Sequence, residues 1–206
     1  MRLLTVVGNR PQFIKSAPLS VALRDVGIEE VVVHTGQHWD PALSAVFFDE
    51  LELHEPAVTL DLRTADTSTI EAALRSAIVG RTPDAVLVYG DTNSTLAGAR
   101  AAGETPVAHV EAGLRSGDLS MPEEHNRIET DRLSWLLFCP DHRSRGILEG
   151  EGALGRIYVV GDVMFVRYVA LLTREPKSPQ RVAYYLGGAV ANWLAWQVAS
   201  ILGILG

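Results

Sequence analysis

Asp91, Glu111 and Glu123 are the residues of this sequence best placed to transfer protons. Asp91 follows an apolar run that ends at Tyr89, and Glu111 follows a run that ends at Val110. If both runs are parallel strands, their carboxyl ends share one edge of a sheet and the two carboxylates meet there. Carboxylates that converge on a cleft can divide into an acid and a base. The pattern therefore predicts acid–base chemistry at that edge.

Two of these carboxylates have a structural alternative. Asp91 precedes a predicted helix and is also suited to be its N-cap. Glu123 and Glu124 both lie in a first helical turn, where negative charge is favourable, so one of them is expected to be only structural. Glu111 lies between a buried strand and a glycine turn, where a carboxylate has little use as a cap. Glu111 is therefore the strongest of the candidates.

Basic and amide side chains follow the first two predicted strands. Arg10 and Lys15 flank a helix start, which is a favourable seat for a diphosphate or a carboxylate. The alternative is that Arg10 pairs with a neighbouring carboxylate and Lys15 is a solvated surface residue. Gln37 and His38 are candidates for hydrogen bonding to a ligand. His34 and His38 lack an evident third ligand nearby, so no metal site is predicted.

The elements that must position these residues alternate between strand and helix. Strands are predicted at Leu3–Val7, Glu30–His34, Val58–Leu60, Ala85–Tyr89, Val107–Val110, Leu136–Cys139 and Ile157–Val160. Helices are predicted at Pro11–Val26, Pro41–Leu51, Thr69–Val79, Ser94–Ala102, Glu123–Ser134, His142–Glu149 and Val163–Leu172. Strands that are apolar at consecutive positions are typical of a parallel sheet covered on both faces. The sequence predicts an α/β fold with a doubly wound, Rossmann-like parallel sheet over residues 1–172.

The composition narrows the classes of partner and compartment. The net charge is −7 and the sequence has no stripe of Lys and Arg, so no nucleic-acid partner is expected. Cys139 is the single cysteine and lies in an apolar run, which favours a buried, inert thiol in a reducing compartment. The apolar run at the N-terminus is too short for a secretory signal. These features predict a cytoplasmic location.

Taken in order, the loops after the predicted strands resemble those of the non-hydrolysing UDP-N-acetylglucosamine 2-epimerases. The segments that carry the resemblance are Gly8–Lys15 with Ala17–Leu19, Thr35–His38, Pro83–Leu96, His109–Asp118, Met121–Arg127 with Thr130–Asp131, and Gly161–Met164. Each segment alone is a weak signal. The ordered set, with the family's spacing, is highly specific.

The resemblance implies one half of a two-domain GT-B enzyme that interconverts UDP-GlcNAc and UDP-ManNAc. In that family, UDP is eliminated to give a 2-acetamidoglucal and is then added back with the opposite configuration at C2. The catalytic carboxylates would be Asp91, Glu111 and Glu123. The substrate contacts would be Arg10, Lys15, Gln37, His38 and Arg115. The resemblance implies no metal or redox cofactor, allows a homodimer, and suggests a role in cell-surface polysaccharide biosynthesis.

The sequence departs from the family pattern in three places. Gln12 stands where Glu is common, and the loop of Asp91 continues Thr-Asn-Ser where threonines are common. Both differences are expected to be tolerated. After Phe165 the family continues with an acidic residue and a second domain, whereas here Val166 follows. We therefore expect a foreign or frame-shifted C-terminus and little epimerase activity from the chain alone. The alternative is a non-catalytic module that binds nucleotide sugars.

The last part of the sequence differs in character from the rest. Residues 173–182 read as a polar linker, and residues 183–206 are predicted to form an apolar helix. The 23 residues Tyr184–Gly206 carry no charge and are long enough to cross a bilayer. This predicts membrane contact through residues 183–206, with a buried helix of a soluble protein as the alternative. The segment weakly resembles part of a branched-chain amino-acid permease.

Overall fold

The computed structural model describes residues 1–37 and 56–161, which form one parallel sheet with helices on its faces. The strands are β1 Arg2–Val7, β2 Glu29–His34, β3 Val58–Thr59, β4 Ala85–Tyr89, β5 Val107–Val110, β6 Leu136–Cys139 and β7 Arg156–Val159. The helices are α1 Arg10–Asp25, α2 Thr67–Val79, α3 Asn93–Ala101, α4 Pro122–Leu133 and α5 His142–Gly150. The predicted α/β, Rossmann-like class is confirmed.

The predicted elements within the described ranges are all present, and none of their ends differs by more than two residues. The predicted helices Pro41–Leu51 and Val163–Leu172, the linker 173–182 and the apolar helix 183–206 lie outside the described residues. Among the helices that are described, none combines the length and apolarity that crossing a membrane requires.

The strand order is β3-β2-β1-β4-β5-β6-β7, and every neighbouring pair is parallel. The chain runs outward from β1 to β3, returns to β4 beside β1, and then runs outward to β7. The direction therefore reverses between β1 and β4. In open α/β sheets, ligands bind beyond the carboxyl ends of the strands at such a reversal. The loops after β1 and β4 lie at this point.

Both faces of the central strands are buried, which explains their continuous apolar runs. The cluster beneath α2 and α3 contains Leu4, Val6, Val33, Ile70, Leu74, Val86, Val88 and Ala97. The cluster beneath α1 contains Leu3, Leu87, Tyr89, Ala108 and Val110, with Leu19 and Leu23 of the helix packed against it.

Helix α3 lies very close to the sheet because it presents small residues to it. A Cβ atom placed on Gly98 would be 3.0 Å from Val88 Cγ1 and 3.2 Å from Val6 Cγ2. Both contacts are tighter than ordinary van der Waals packing, so a larger residue would push the helix outward. This close packing fixes the start of α3 directly above the carboxyl ends of β1 and β4.

Candidate active site

Three loops meet where the chain leaves β1. A Cβ atom on Gly8 would lie 2.2 Å from Ser94 Oγ and 2.7 Å from Thr35 Oγ1, so only glycine fits there. The hydroxyls of Thr35 and Ser94 are themselves 2.8 Å apart. Asn9 then caps α1 by accepting a hydrogen bond from the backbone N–H of Gln12 at 3.2 Å. The loops after β1, β2 and β4 are thereby packed into one surface.

The side chain of Gln12 is buried at the centre of this junction. Its Oε1 atom accepts a hydrogen bond from the N–H of Gly8 at 2.7 Å. Its Nε2 atom lies 2.8 Å from the carbonyl oxygen of Tyr89 and 3.0 and 2.9 Å from the hydroxyls of Thr92 and Thr95. One amide therefore joins the end of β1 to the end of β4 and the start of α3.

Lys15 and Glu111 form an ion pair across the top of the sheet. Lys15 Nζ lies 2.5 Å from Glu111 Oε2, and each side chain is 16% exposed. Glu111 has a left-handed backbone (φ +72°), which is uncommon for a residue other than glycine and recurs at functional sites. The backbone N–H groups of Glu111 and Ala112 both donate to Phe138 O, at 3.0 and 3.1 Å. The turn that carries Glu111 is thus held firmly to β6.

Asp91 is paired with Arg127 of α4. The guanidinium of Arg127 binds the carboxylate of Asp91 and, 3.0 Å away, that of Glu124. The neighbouring Asn126 donates from Nδ2 to the carbonyl oxygen of Asp91 at 3.0 Å and to Asn93 Oδ1 at 2.9 Å. The first two turns of α4 therefore hold the loop that carries Asp91.

The two glutamates at the start of α4 occupy different environments. Glu124 is buried and accepts hydrogen bonds from the N–H groups of Ser116 and Gly117, each at 3.0 Å. Burial alone would raise the pKa of Glu124, but these N–H groups and the guanidinium of Arg127 outweigh it and lower the pKa. Glu123 is exposed, and the described part of the chain gives its side chain no hydrogen bond or ion pair. Glu124 is therefore the structural member of the pair.

The cap of α3 is Thr92, so the alternative in which Asp91 caps this helix is wrong. The Thr92 hydroxyl accepts from the N–H of Thr95, and the Thr95 hydroxyl accepts from the N–H of Thr92, each at 3.2 Å. This reciprocal capping box satisfies the end of the helix by itself. The Asp91 carboxylate is consequently left to Arg127.

The predicted substrate contacts in the first two loops differ in whether the structure leaves them near the site. Lys15 lies at the sheet edge, as described above. Gln37 turns back onto the protein, and its Oε1 atom accepts from the N–H and hydroxyl of Ser94 at 3.1 and 2.6 Å. Arg10 is the first residue of α1. His38 lies outside the described residues.

Arg115 is held by two carboxylates of the protein itself. Its Nη1 atom lies 2.8 Å from Asp131 Oδ2, and its Nη2 atom lies 2.7 Å from Glu151 Oε2. Burial lowers the pKa of Arg115, but the bonds to Glu151 and Asp131 more than compensate and raise it. The guanidinium is thus already engaged on both sides, and a substrate would have to compete with these carboxylates.

Sequence reasoning missed three residues that organise this edge: Gln12, His109 and Asp131. The ring of His109 is fully buried, with Nε2 2.7 Å from the carbonyl oxygen of Gly90 and Nδ1 2.7 Å from Asp131 Oδ1. The available signal was a histidine inside the otherwise apolar strand Val107–Val110, because a buried polar group needs a partner. Across residues 1–37 and 56–161, no three His, Cys, Asp or Glu side chains are grouped to hold a metal ion.

Known proteins share this arrangement of strands and loops. Residues 22–185 match the family model described as UDP-N-acetylglucosamine 2-epimerase. A UDP-N-acetylglucosamine 2-epimerase homolog of Methanococcus maripaludis is 46% identical over 80% of the chain and 48% of its own length. UDP-2,3-diacetamido-2,3-dideoxy-D-glucuronate 2-epimerase of Pseudomonas aeruginosa is 45% identical over 80% of the chain and 49% of its own length.

Solved structures agree with the sequence relatives. The chain superimposes on UDP-GlcNAc 2-epimerase of Methanocaldococcus jannaschii, a complex with UDP-GlcNAc and UDP, with a TM-score of 0.82 and 36% identity. The match covers 89% of this chain and 53% of that one. The chain thus spans about half the length of the relatives that it matches. On the family match and these identities, the chain belongs to the UDP-N-acetylglucosamine 2-epimerase family.

Proposed function

We propose that this chain supplies the carboxylate side of an active site that interconverts UDP-GlcNAc and UDP-ManNAc. The observation that carries the proposal is the pairing at one sheet edge, where Glu111 is bound to Lys15 and Asp91 to Arg127. Each carboxylate lies in the loop that follows a different strand, and the two strands are neighbours in the sheet. Its relatives carry the name of this activity.

The reaction needs both kinds of charge that this edge presents. The proton on C2 of the sugar is weakly acidic, so its removal requires a well-placed base. UDP departs with negative charge, so its departure requires a cation or a helix N-terminus near the diphosphate. The carboxylates Asp91 and Glu111 meet the first need. Lys15 and the amino end of α1, where Arg10 stands, meet the second.

We assign proton transfer and stabilisation of the oxocarbenium-like transition state to Asp91, Glu111 and Glu123. Glu111 is mostly buried beside a cation, which keeps it oriented before a substrate arrives. Glu123 is exposed in the first turn of α4, close in sequence to the residues that hold Asp91, and is available to meet a ligand. Among the predicted substrate contacts, Lys15 has the strongest support, whereas Gln37 and Arg115 are engaged with the protein itself.

Because the chain matches about half of its relatives, we expect it to bind the nucleotide sugar weakly and to exchange little by itself. The test is carried out in deuterated water with UDP-GlcNAc as the probe. The chain is assayed alone and after addition of the unmatched half of the M. jannaschii relative as a separate polypeptide. Deuterium at C2 and the appearance of UDP-ManNAc only in the mixture support the proposal.

Two outcomes separate the alternatives. If UDP-GlcNAc perturbs the amide resonances of Lys15, Asp91 and Glu111 but the mixture never exchanges C2, the chain is a binding module without catalysis. If neither binding nor exchange occurs with UDP-GlcNAc, the substrate assignment is wrong. The next sugar to test is then UDP-2,3-diacetamido-2,3-dideoxy-D-glucuronate, which is named in the description of the P. aeruginosa relative.

A further inference from the structure

The ring of His109 is enclosed between two oxygen acceptors. Its side chain is 0% exposed. Nε2 lies 2.7 Å from the carbonyl oxygen of Gly90, and Nδ1 lies 2.7 Å from Asp131 Oδ1. A neutral imidazole has one N–H donor and one bare nitrogen acceptor, so it can satisfy only one of these two partners as a donor.

The chemistry of the partners determines where the protons are. The Gly90 carbonyl can only accept, so Nε2 must carry a hydrogen. The second oxygen of Asp131 accepts from the N–H of Gly113 at 3.2 Å and from Arg115 Nη1 at 2.8 Å. Two donors on one oxygen, one of them a guanidinium, favour the ionised form of this carboxylate. An ionised Asp131 is also acceptor only, so Nδ1 must carry a hydrogen as well.

The surrounding charges are consistent with a cationic ring. Asp131 and Glu151 are the acids of this cluster, and Arg115 binds both of them. Glu151 is 40% exposed, so its charge is screened by solvent. Within the buried part of the cluster, the Asp131 carboxylate lies between Arg115 and the His109 ring and contacts both. Cys139 is another ionisable neighbour of Asp131, and burial raises the pKa of its thiol to about 11, so it stays neutral.

We propose that His109 is a positioning residue of the active site, held doubly protonated by Asp131 so that it fixes the Gly90 carbonyl and the backbone from which Asp91 projects. The Asp131 carboxylate also binds the N–H of Gly113, two residues after Glu111. A single carboxylate on α4 therefore sets the loops of both catalytic candidates. The positioning role rests on the proposed function, whereas the protonation of the ring does not.

The protonation is tested by nitrogen NMR of the 206-residue chain labelled with ¹⁵N-histidine, at pH 7.5. Both ring nitrogens of His109 are expected to show directly bonded hydrogens. A bare nitrogen at either position overturns the assignment. The exposed His142 provides an internal reference for a histidine that exchanges freely with solvent.

The positioning role is tested with His109→Gln, and His142→Gln is the matched control. In the wild-type chain and both variants, amide resonances are compared at Gly90, Asp91 and α1. Only His109→Gln should move the Gly90 and Asp91 signals while α1 stays in place. Unmoved Gly90 and Asp91 signals overturn the role. A variant that loses the dispersed spectrum of the whole chain also overturns it, because His109 would then be required for folding in general.

The kinetics of C2 exchange distinguish a positioning role from a purely structural one. In the mixture with the relative's second half, His109→Gln should lower kcat for C2 exchange about 100-fold with little change in KM, as a small misplacement of a reacting group does. A rise in KM with kcat unchanged overturns the role. If the wild-type mixture shows no exchange, the proposed function fails, and the NMR comparison still decides whether His109 positions the loop.

Discussion

The ammonium group of Lys15 lies 2.5 Å from the carboxylate of Glu111, although 96 residues of sequence separate them. Lys15 belongs to α1, whereas Glu111 follows β5, so the contact crosses the carboxyl ends of the strands between them. The ion pair holds a cation and a carboxylate together at the edge where the proposed substrate would bind. The contribution of this ion pair to the free energy of unfolding can be measured without an assay of activity.

The Lys15–Glu111 pair should contribute a coupling energy between those of exposed and buried pairs. We expect a double-mutant cycle with Lys15→Met and Glu111→Gln to give about 1–3 kcal/mol, because each side chain is only 16% exposed. Urea unfolding of the wild-type chain, both single variants and the double variant measures it. The control is Arg145–Glu149, an exposed i,i+4 pair whose coupling should be clearly smaller because solvent screens it. Equal couplings would contradict the prediction.

Substitution of Glu123 should mainly reduce activity, whereas substitution of Glu124 should mainly reduce stability. Glu123→Gln removes an exposed carboxylate, so unfolding should change by less than about 0.5 kcal/mol, while C2 exchange in the complemented enzyme falls about 10²–10⁴-fold. Glu124→Gln weakens charge-assisted bonds to Ser116, Gly117 and Arg127, so it should cost about 1.5–3 kcal/mol. Urea unfolding and deuterium exchange are measured on both variants. The reverse assignment of effects would refute the prediction.

Gln12→Glu should destabilise the chain. The substitution replaces the Nε2 donor that faces the Tyr89 carbonyl with an oxygen, leaving two acceptors opposed in a buried site. The expected cost is about 1–3 kcal/mol at pH 7. The introduced carboxyl can donate when protonated, so the gap to wild type should shrink as pH falls towards 5. Urea unfolding at pH 7 and pH 5 measures the difference in unfolding free energy between wild type and variant. A difference that increases at pH 5 would argue against this account.

The buried ring of His34 should make the chain less stable in mild acid. Burial lowers the pKa of His34 from 6.5, against a smaller opposing effect of Asp61. Between pH 6.5 and that lower value, the unfolded chain binds a proton that the folded chain does not, so the free energy of unfolding decreases as pH falls. The decrease can reach about 1.4 kcal/mol per pH unit.

The variant His34→Phe isolates this effect. It keeps an aromatic ring to stack on Phe13, whose centroid lies 5.0 Å from that of His34. The difference in unfolding free energy between wild type and variant, measured from pH 7.5 to 5, should move in favour of the variant as pH decreases. A constant difference would show that His34 does not titrate in this range.

Gly8→Ala should be severely destabilising because its Cβ would lie 2.2 Å from Ser94 Oγ. We expect a loss of about 1–3 kcal/mol or more, as for overpacking of a closed core. Adding Ser94→Gly should recover only part of the loss, since Thr35 Oγ1 also lies 2.7 Å from that Cβ. Gly146→Ala is the control, because it is helical with open space around it, and should gain about 0.5–1 kcal/mol. Thermal unfolding distinguishes the two.

The fold could be predicted from sequence because its signals are local. The continuous apolar run Ala85–Tyr89 matches an observed strand, since a strand buried on both faces favours apolar side chains at every position. The placement of Asp91 and Glu111 at one edge followed from parallel topology alone. The prediction for the start of α4 was less specific, since sequence indicated one structural glutamate without indicating which.

The partners of these residues could not be predicted, because they come from distant parts of the chain. The sequence around Arg115 does not indicate that it binds Asp131 and Glu151. The sequence around Gln37 does not indicate that its side chain binds Ser94. Gln12 looked like a tolerable substitution, yet its amide links two strand ends. Side-chain direction decides such contacts, and direction depends on packing that periodicity does not record.

Helix α4 holds the site through residues on one of its faces. Glu124, Arg127 and Asp131 follow the i, i+3, i+7 spacing and bind, in turn, the loop after Arg115, the Asp91 loop, and the His109 ring with the Glu111 turn. A small rotation or slide of this helix would therefore displace both catalytic candidates together and by related amounts. Coupling of this kind would let a substitution on the outer surface of α4 change the proposed reaction without contacting the substrate.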